Sequence, residues 1–288
     1  MVTARCRNPD VPRRTVRVAG CPVQTTVTAR LAIVRRWLYT TLWLQRRRLH
    51  SSSGLTAGLG VQWTPPFGRR LPAGAEPRPD TLQLCVGNRC LIFQLARAAS
   101  GAVPQILRRF LADARVTFAA CNVESDRRKL RAHHGLQVRS ALELRAAAPR
   151  GMGNASMATV AERLLGMRGL EKPGKVGASR WDAPRLSRKQ VRYAAADAYV
   201  SCRLGVHFRR RAAMASDDQE SEPEYYSDED VRCTARDEVS PEPEYEHGDC
   251  WGRFVGFLER VSDDDDPHGE AAVVDDHVYD SMCSSLVY

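Results

Sequence analysis

The sequence predicts an α/β domain, a mixed sheet flanked by helices, followed by an acidic segment that has no fold of its own. Strand and helix patterns alternate from about residue 104 onward, which is typical of a sheet covered by helices on both faces. Three strand patterns precede this alternation, which favours a mixed rather than a purely parallel sheet. The charge also changes sign: residues 1–211 hold 39 Lys and Arg against 11 Asp and Glu, and residues 212–288 hold 4 against 23.

These patterns divide the 288 residues into three segments. Residues 1–28 are basic and predicted to be irregular, apart from a strand at 15–19. Residues 29–211 are predicted to be the folded domain, and the balance of +28 over residues 1–211 should attract polyanions. Residues 212–288 contain too few apolar side chains to offset their ordering entropy, so an acidic, disordered tail is predicted.

The first helical pattern, at residues 29–48, carries apolar side chains on one face and arginines on the other. Three interpretations stay open: a helix packed on the domain, part of an organelle-targeting presequence, or a helix on a membrane surface. Arginines interrupt the segment too often for it to cross a bilayer, so no membrane span is predicted.

The remaining elements follow from local signals. Pro104 opens one helix, Gly135 ends another, and Ser187 is predicted to cap the last one. Strands are predicted at 55–63, at 81–95 as a pair around the turn Gly87-Asn88, at 115–123 and, more weakly, at 138–146. Helices are predicted at 104–113, from 125 to 135, at 156–167 and at 186–204.

Nine scattered cysteines without a C-x-x-C pair argue against a zinc module and against a secreted disulfide scaffold. A reducing compartment is predicted, the nucleus or the cytoplasm, with organelle targeting left open. Cys85 and Cys90 face each other across the predicted hairpin, where semi-buried thiols are favoured over a disulfide.

The most informative residues lie on the last helix, where Tyr193 and Asp197 are four positions apart and share one face. The alanines between them, at 194–196, let this helix lie close to a sheet. A phenol one turn from a carboxylate suits the positioning of a metal ion and an attacking water.

Two upstream segments complete this pattern: AGLGVQW at 57–63 and NVESDRRKL at 122–130. Together with YAAAD at 193–197, their order and spacing resemble the DEDDy-type 3′–5′ exonuclease domain of the RNase H-like fold. Within that group, residues 15–211 resemble the plant proteins similar to the Werner syndrome exonuclease. Ser179, Trp181, Leu186 and Gln190 support the resemblance.

The resemblance implies a phosphodiesterase that uses two ions of Mg²⁺ or Mn²⁺. Its first strand supplies an Asp and a Glu two positions apart, on one face of the sheet. By position, Asp126 and Asp197 would serve as metal-binding acids, and Tyr193 would orient the nucleophile.

The first-strand positions hold Gly60 and Gln62 instead of acids. Glycine offers no ligand, and an amide oxygen is a poor substitute for a carboxylate at a site for two divalent cations. Metal binding is therefore predicted to be weak or absent, and hydrolysis to be impaired. Glu124 and the Gln62 carbonyl are partial substitutes that stay open.

Three functions follow from these residues. The first is a metal-dependent 3′–5′ exonuclease. The second is a catalytically impaired module that binds DNA or RNA as single strands or 3′ ends. The third is a protein-interaction scaffold that uses its acidic tail. That tail could also contact the basic body in cis. The predicted nucleic-acid contacts are Arg127, Arg128, Lys129, Arg188 and Lys189.

Overall fold

The computed structural model describes residues 13–66, 75–170 and 173–217. The strands in these ranges are β1 (Arg13–Val18), β2 (Cys21–Thr28), β3 (Leu55–Gln62), β4 (Thr81–Val86), β5 (Arg89–Phe93), β6 (Val116–Ala120) and β7 (Ser140–Glu143). The α-helices are α1 (Leu31–Leu44), α2 (Arg46–Leu49), α3 (Gln105–Ala112), α4 (Val123–His134), α5 (Leu144–Ala147), α6 (Met157–Leu165), α7 (Gly174–Gly177) and α8 (Arg188–Asp217).

The strands form one sheet in the order β1-β2-β5-β4-β3-β6-β7. Strands β3, β4 and β5 pair antiparallel, whereas β2 with β5, β3 with β6, and β6 with β7 pair parallel. The predicted α/β class with a mixed sheet is therefore confirmed. Strand β3 lies between β4 and β6, which places the first motif inside the sheet and not at its edge.

Helices cover both faces of β3. On one face, Leu59 and Val61 belong to a core that includes the buried Trp37 of α1 and Phe110 of α3. On the other face, α8 crosses the sheet. Because successive strand residues point to opposite faces, Gly58, Gly60 and Gln62 face α8.

Glycines allow α8 to approach the sheet closely. A β-carbon added at Gly58 would overlap the Ala198 carbonyl oxygen and would lie 2.7 Å from the Cys202 amide nitrogen. On the helix side, a β-carbon added at Gly205 would lie 2.5 Å from Cβ of Ala119. The backbone of α8 therefore rests directly on β3 and β6, which explains why side chains at position 60 of β3 and at 197 of α8 share one space.

The N-terminal segment differs from its prediction. Residues 13–28, expected to be irregular except for one strand, form the β1–β2 hairpin, and β2 joins the sheet beside β5. Val18 and Val23 are buried. Arg14 and Arg17 of β1 are exposed and conceal this pattern, because a single buried residue is a weak signal in so basic a segment.

Helix α1 has the buried side chains Trp37, Leu38, Tyr39 and Leu42, as the packed-helix interpretation of residues 29–48 requires. Among the described residues, none of the helices combines the length and apolar character that a membrane span needs.

The last helix begins as predicted but ends later. The Gln190 amide donates to Ser187 Oγ (3.2 Å), while the Ser187 amide donates to Gln190 Oε1 (2.9 Å); this reciprocal pair caps the helix. Helix α8 continues to Asp217, past the domain end expected at 211. The rest of the predicted disordered tail, 218–288, lies outside the described residues.

Cys85 and Cys90 lie opposite each other in β4 and β5, as predicted. Both are fully buried, and the structure pairs them as a disulfide with Cα atoms 4.2 Å apart. The expected semi-buried thiols are thus replaced by a buried disulfide.

Candidate active site

Gly60 and Asp197 border the same space, as the motif alignment requires. A β-carbon added at Gly60 would lie 3.5 Å from Asp197 Oδ2. Position 60 is therefore where a first-strand carboxylate would meet the last-helix carboxylate, and glycine leaves that place without a ligand. Gln62 lies on the same strand face, half-buried, and offers a neutral amide.

Asp126 belongs to the same electrostatic environment. It lies in the first turn of α4, after Asn122 in the left-handed conformation (φ 59°), and only 8% of its surface is exposed. Burial raises the pKa of Asp126 to about 7; the Lys129 ammonium acts against this rise, and the charges of Asp197 and Glu143 add to it. The structure therefore brings Asp126 and Asp197 together.

Glu143 is a component of the site that the sequence did not reveal. Its Oε2 accepts a hydrogen bond from the Val123 amide (2.9 Å), and its Oε1 accepts one from the Arg145 amide (3.2 Å). It thereby holds the start of α4, the helix that carries Asp126. The available signal was the single acid within the strand predicted at 138–146, and its capping role appears only because the strand ends at Glu143.

Tyr193 is held by the segment that precedes α8. Its ring lies against Trp181, with centroids 6.0 Å apart. A β-carbon added at Gly177 would lie 2.9 Å from the Tyr193 hydroxyl oxygen, so glycine makes room for the phenol. The indole of Trp181 donates to the Gly177 carbonyl (2.9 Å).

The residues that support the family resemblance hold this segment in place by hydrogen bonds. Gln190 Nε2 donates to Ser179 Oγ (3.0 Å) and to the Arg180 carbonyl (2.8 Å). These bonds tie the start of α8 to the turn that packs on Tyr193. The signature thus positions the tyrosine.

The predicted nucleic-acid contacts separate into two groups. Arg188 and Lys189 are exposed at the start of α8, where a phosphate could reach them. Arg127 pairs with the exposed Glu124 (2.9 Å), and Arg128 with Glu76 (2.8 Å). Glu124 therefore forms an ion pair on the outer face of α4, and its expected alternative role as a metal ligand gains no support.

Lys129, also predicted as a nucleic-acid contact, is turned inward. Only 4% of its surface is exposed, its ammonium lies 4.5 Å from the centre of the Trp63 ring, and it donates to Ser125 Oγ. The sequence pattern of three consecutive cations did not show which one turns inward.

The residues present do not fit a pair of divalent cations. Within the described ranges, no group of three or more His, Cys, Asp and Glu side chains could hold a metal ion. One buried atom nevertheless lacks a partner beside Gly60: Oε1 of Gln83. The site therefore combines too few carboxylates with an unsatisfied neutral oxygen.

The raised pKa of Asp126 predicts a specific pH dependence of stability. A carboxyl that binds protons more tightly in the folded state stabilises the fold below its unfolded-state pKa, and this contribution is lost as pH rises through the folded-state pKa. The metal-free protein should therefore lose on the order of 1–4 kcal/mol between about pH 4 and pH 7. Asp126→Asn should remove this loss.

Urea unfolding of both proteins in a chelator, at pH 5 and pH 8, measures the effect. The control is Glu162→Gln, a change at an exposed acid. In this variant the free energy of unfolding should change with pH as it does in the wild type. A wild-type slope in Asp126→Asn would contradict the prediction.

Parts of this chain are similar to known proteins. Residues 76–212 match the family model described as 3′–5′ exonuclease. An Arabidopsis thaliana protein named 3′–5′ exonuclease is 27% identical over 151 residues, 51% of this chain and 50% of that protein. Human exonuclease 3′–5′ domain-containing protein 2 is 30% identical over 157 residues, 52% of this chain and 24% of that protein. The match thus spans half or less of these relatives.

One solved structure supports the fold. The catalytic core of RRP6 from Trypanosoma brucei has a TM-score of 0.51 at 10% identity, over 70% of this chain and 52% of that one. An EXD2 exonuclease domain soaked in Mn and GMP has a TM-score of 0.35 at 23% identity, over 70% of this chain and 99% of that one. The mixed sheet is therefore RNase H-like, and residues 76–212 resemble a 3′–5′ exonuclease domain.

Proposed function

We propose that this chain is a nucleic-acid-binding protein of the DEDDy type, similar to plant Werner-like exonucleases, whose metal-dependent phosphodiester hydrolysis is severely weakened or lost. The observation that carries the proposal is Gly60, which faces Asp197 and has no side chain to supply a carboxylate oxygen. The family match begins at residue 76, downstream of β3, in agreement with a first motif that departs from the family.

The charge at the site supports this proposal. Two cations need several compensating carboxylates, and the family positions here retain Asp126 and Asp197. With a pKa of about 7, Asp126 is only partly ionised at neutral pH. Tyr193 would still orient a phosphate or a water beside Asp197, so a role in positioning the substrate would remain.

A cleavage assay tests the loss of hydrolysis. The full chain is incubated with end-labelled single-stranded DNA or RNA and Mn²⁺, and no shortening from the 3′ end above the buffer rate is expected. The matched control is Asp197→Asn. Shortening by the wild-type chain that disappears in Asp197→Asn would refute the proposal.

Binding without metal is expected to be strongly salt-dependent. Each phosphate neutralised by a cationic side chain contributes roughly −0.7 to the slope of log affinity against log salt on single strands. Arg188→Ala with Lys189→Ala should therefore reduce the slope by about 1.4, because both side chains are exposed at the start of α8.

Fluorescence anisotropy with labelled single strands measures this slope in the presence of a chelator. The salt concentration is varied from about 50 to about 300 mM. Arg150→Ala with Arg163→Ala changes two exposed cations outside the motifs and serves as the control. An affinity that does not vary with salt would contradict the binding function.

The scaffold function of the acidic tail stays a prediction. Residues 218–288 lie outside the described ranges, and the family match ends at residue 212. The choice between DNA and RNA likewise rests on the assay above, in which both are offered.

A further inference from the structure

The second half of α8 carries cations and no acids. Three consecutive arginines occupy 209–211, and the stretch 198–216 holds neither Asp nor Glu. Arg210 and Arg211 are exposed. At 1.5 Å of rise per residue, Arg210 lies about 33 Å along the helix axis from Arg188. This end of the helix is therefore remote from the nucleic-acid contacts proposed at its start.

Arg209 joins this end of α8 to the turn that leads into β3. Its guanidinium donates hydrogen bonds to Thr56 Oγ1 (3.0 Å) and to the Ser53 carbonyl. In the same turn, the Ser51 hydroxyl donates to the Arg48 carbonyl (2.8 Å) at the end of α2. The end of α2 and the end of α8 are therefore neighbours in the fold, although they are far apart in the sequence.

Helix α2 adds two more exposed cations, Arg47 and Arg48. The charge of Arg48 is felt on α8, since burial raises the pKa of the Cys202 thiol and the charges of Arg203 and Arg48 act against this rise. The stretch 11–75, which contains α2 and the following turn, holds no acidic residue. Neither element therefore brings an acid of its own to this surface.

Arg47, Arg48, Arg210 and Arg211 are here named the terminal patch. Across the described ranges, none of these four side chains takes part in an ion pair. Like charges held on neighbouring elements repel one another. A polyanion that binds this surface relieves the repulsion and is attracted by all four guanidinium groups.

The chain itself supplies a polyanion directly after α8. Residues 218–230 hold seven acids and neither Lys nor Arg. Helix α8 ends at Asp217, about 9 Å along the axis from Arg211, and a segment of this length reaches up to about 45 Å when extended. It can therefore reach every arginine of the patch, and its attachment to α8 gives it an effective concentration in the millimolar range.

We propose that residues 218–230 dock on the terminal patch of the same chain. The contact neutralises cations that would otherwise attract nucleic acid, and it leaves Arg188 and Lys189 open at the other end of α8. The acidic segment thereby confines nucleic-acid binding to the start of this helix. The inference does not depend on whether hydrolysis is lost.

Zero-length cross-linking of the full chain tests this contact, because a carbodiimide joins carboxylates only to amines that touch them. Arg48→Lys keeps the charge of the patch and adds the amine. Trypsin releases the acidic segment within one peptide, 212–232, and mass spectrometry should find this peptide joined to position 48. The native Lys189, exposed at the start of α8, is the internal control. The yield at position 48 should exceed that at Lys189 at least about tenfold.

Further variants test whether charge holds the segment in place. Addition of Arg47→Ala and Arg210→Ala to Arg48→Lys should lower the yield about fivefold, because each exposed ion pair contributes modestly. Addition of Arg150→Ala and Arg163→Ala, which change exposed cations elsewhere, should leave the yield unchanged. At about 1 M salt, where charges are screened beyond about 3 Å, the cross-link should be lost. Circular dichroism checks that each variant is folded.

Several results would overturn the inference. One is a yield at position 48 no higher than at Lys189, and another is a cross-link formed mainly with acids outside 218–230. A yield unaffected by Arg47→Ala with Arg210→Ala would also contradict it. In a mixture of ¹⁵N-labelled and unlabelled chains, cross-links that carry both isotopes would show docking between two copies instead. None of these results bears on the proposed loss of hydrolysis, which Asp197-dependent cleavage would refute.

Discussion

Replacement of Gly58 by alanine is expected to lower the free energy of unfolding by about 3 kcal/mol, a large value for the addition of one methyl group. The added β-carbon would overlap the Ala198 carbonyl oxygen and approach the Cys202 amide nitrogen at 2.7 Å. Both atoms belong to the backbone of α8, which cannot rotate away as a side chain can. The helix must therefore move as a body, and its other contacts with the sheet are lost.

Urea unfolding followed by circular dichroism measures this effect. The control is Gly174→Ala, since Gly174 has open space around its β-position and no positive φ; its stability should stay within about 0.5 kcal/mol of wild type. Equal stability of Gly58→Ala and wild type would show that α8 does not rest on β3 as described.

Restoration of the first motif is the second large expected effect. The double variant Gly60→Asp with Gln62→Glu should hydrolyse single strands at least about 100-fold faster than the wild-type chain in Mn²⁺, because metal ions contribute several kcal/mol to such reactions and 1.4 kcal/mol is tenfold in rate. Position 60 already faces Asp197, so the new carboxylate would enter the site directly.

The new β-carbon at position 60 would lie 2.7 Å from Gln83 Oε1, the end of a side chain that has to turn aside. Some loss of stability is therefore expected together with the gain in rate. Gly60→Asn with Gln62 unchanged has nearly the same volume without the charge and should give no gain. If the acidic double variant binds Mn²⁺ and still fails to cleave, the defect lies elsewhere than in the first motif.

Elements with strong local signals were predictable. The turn Gly87-Asn88 predicts the β4–β5 hairpin, Gly135 ends α4 in the left-handed conformation, and Ser187 caps α8. Each of these signals acts within a few residues of chain, because turn and cap geometry depends on adjacent backbone groups.

Features that depend on distant partners were missed. The β1–β2 hairpin is stabilised by pairing with β5. Lys129 is buried because its ammonium packs on the Trp63 ring and donates a hydrogen bond to Ser125. Glu143 holds the start of α4 through a contact between residues 20 positions apart. None of these partners is adjacent in the sequence.

The amino-acid sequence alone predicted the fold class, proposed Asp126, Tyr193 and Asp197 as motif positions, and showed that Gly60 and Gln62 are not acids, because these properties are read from residue type and spacing. The tertiary structure alone decided that Asp126 is buried with a raised pKa, and that Gln83 shares the space of Gly60 with Asp197. Burial, charge proximity and strand register arise only when the chain has folded, since each depends on residues brought together from different strands and helices.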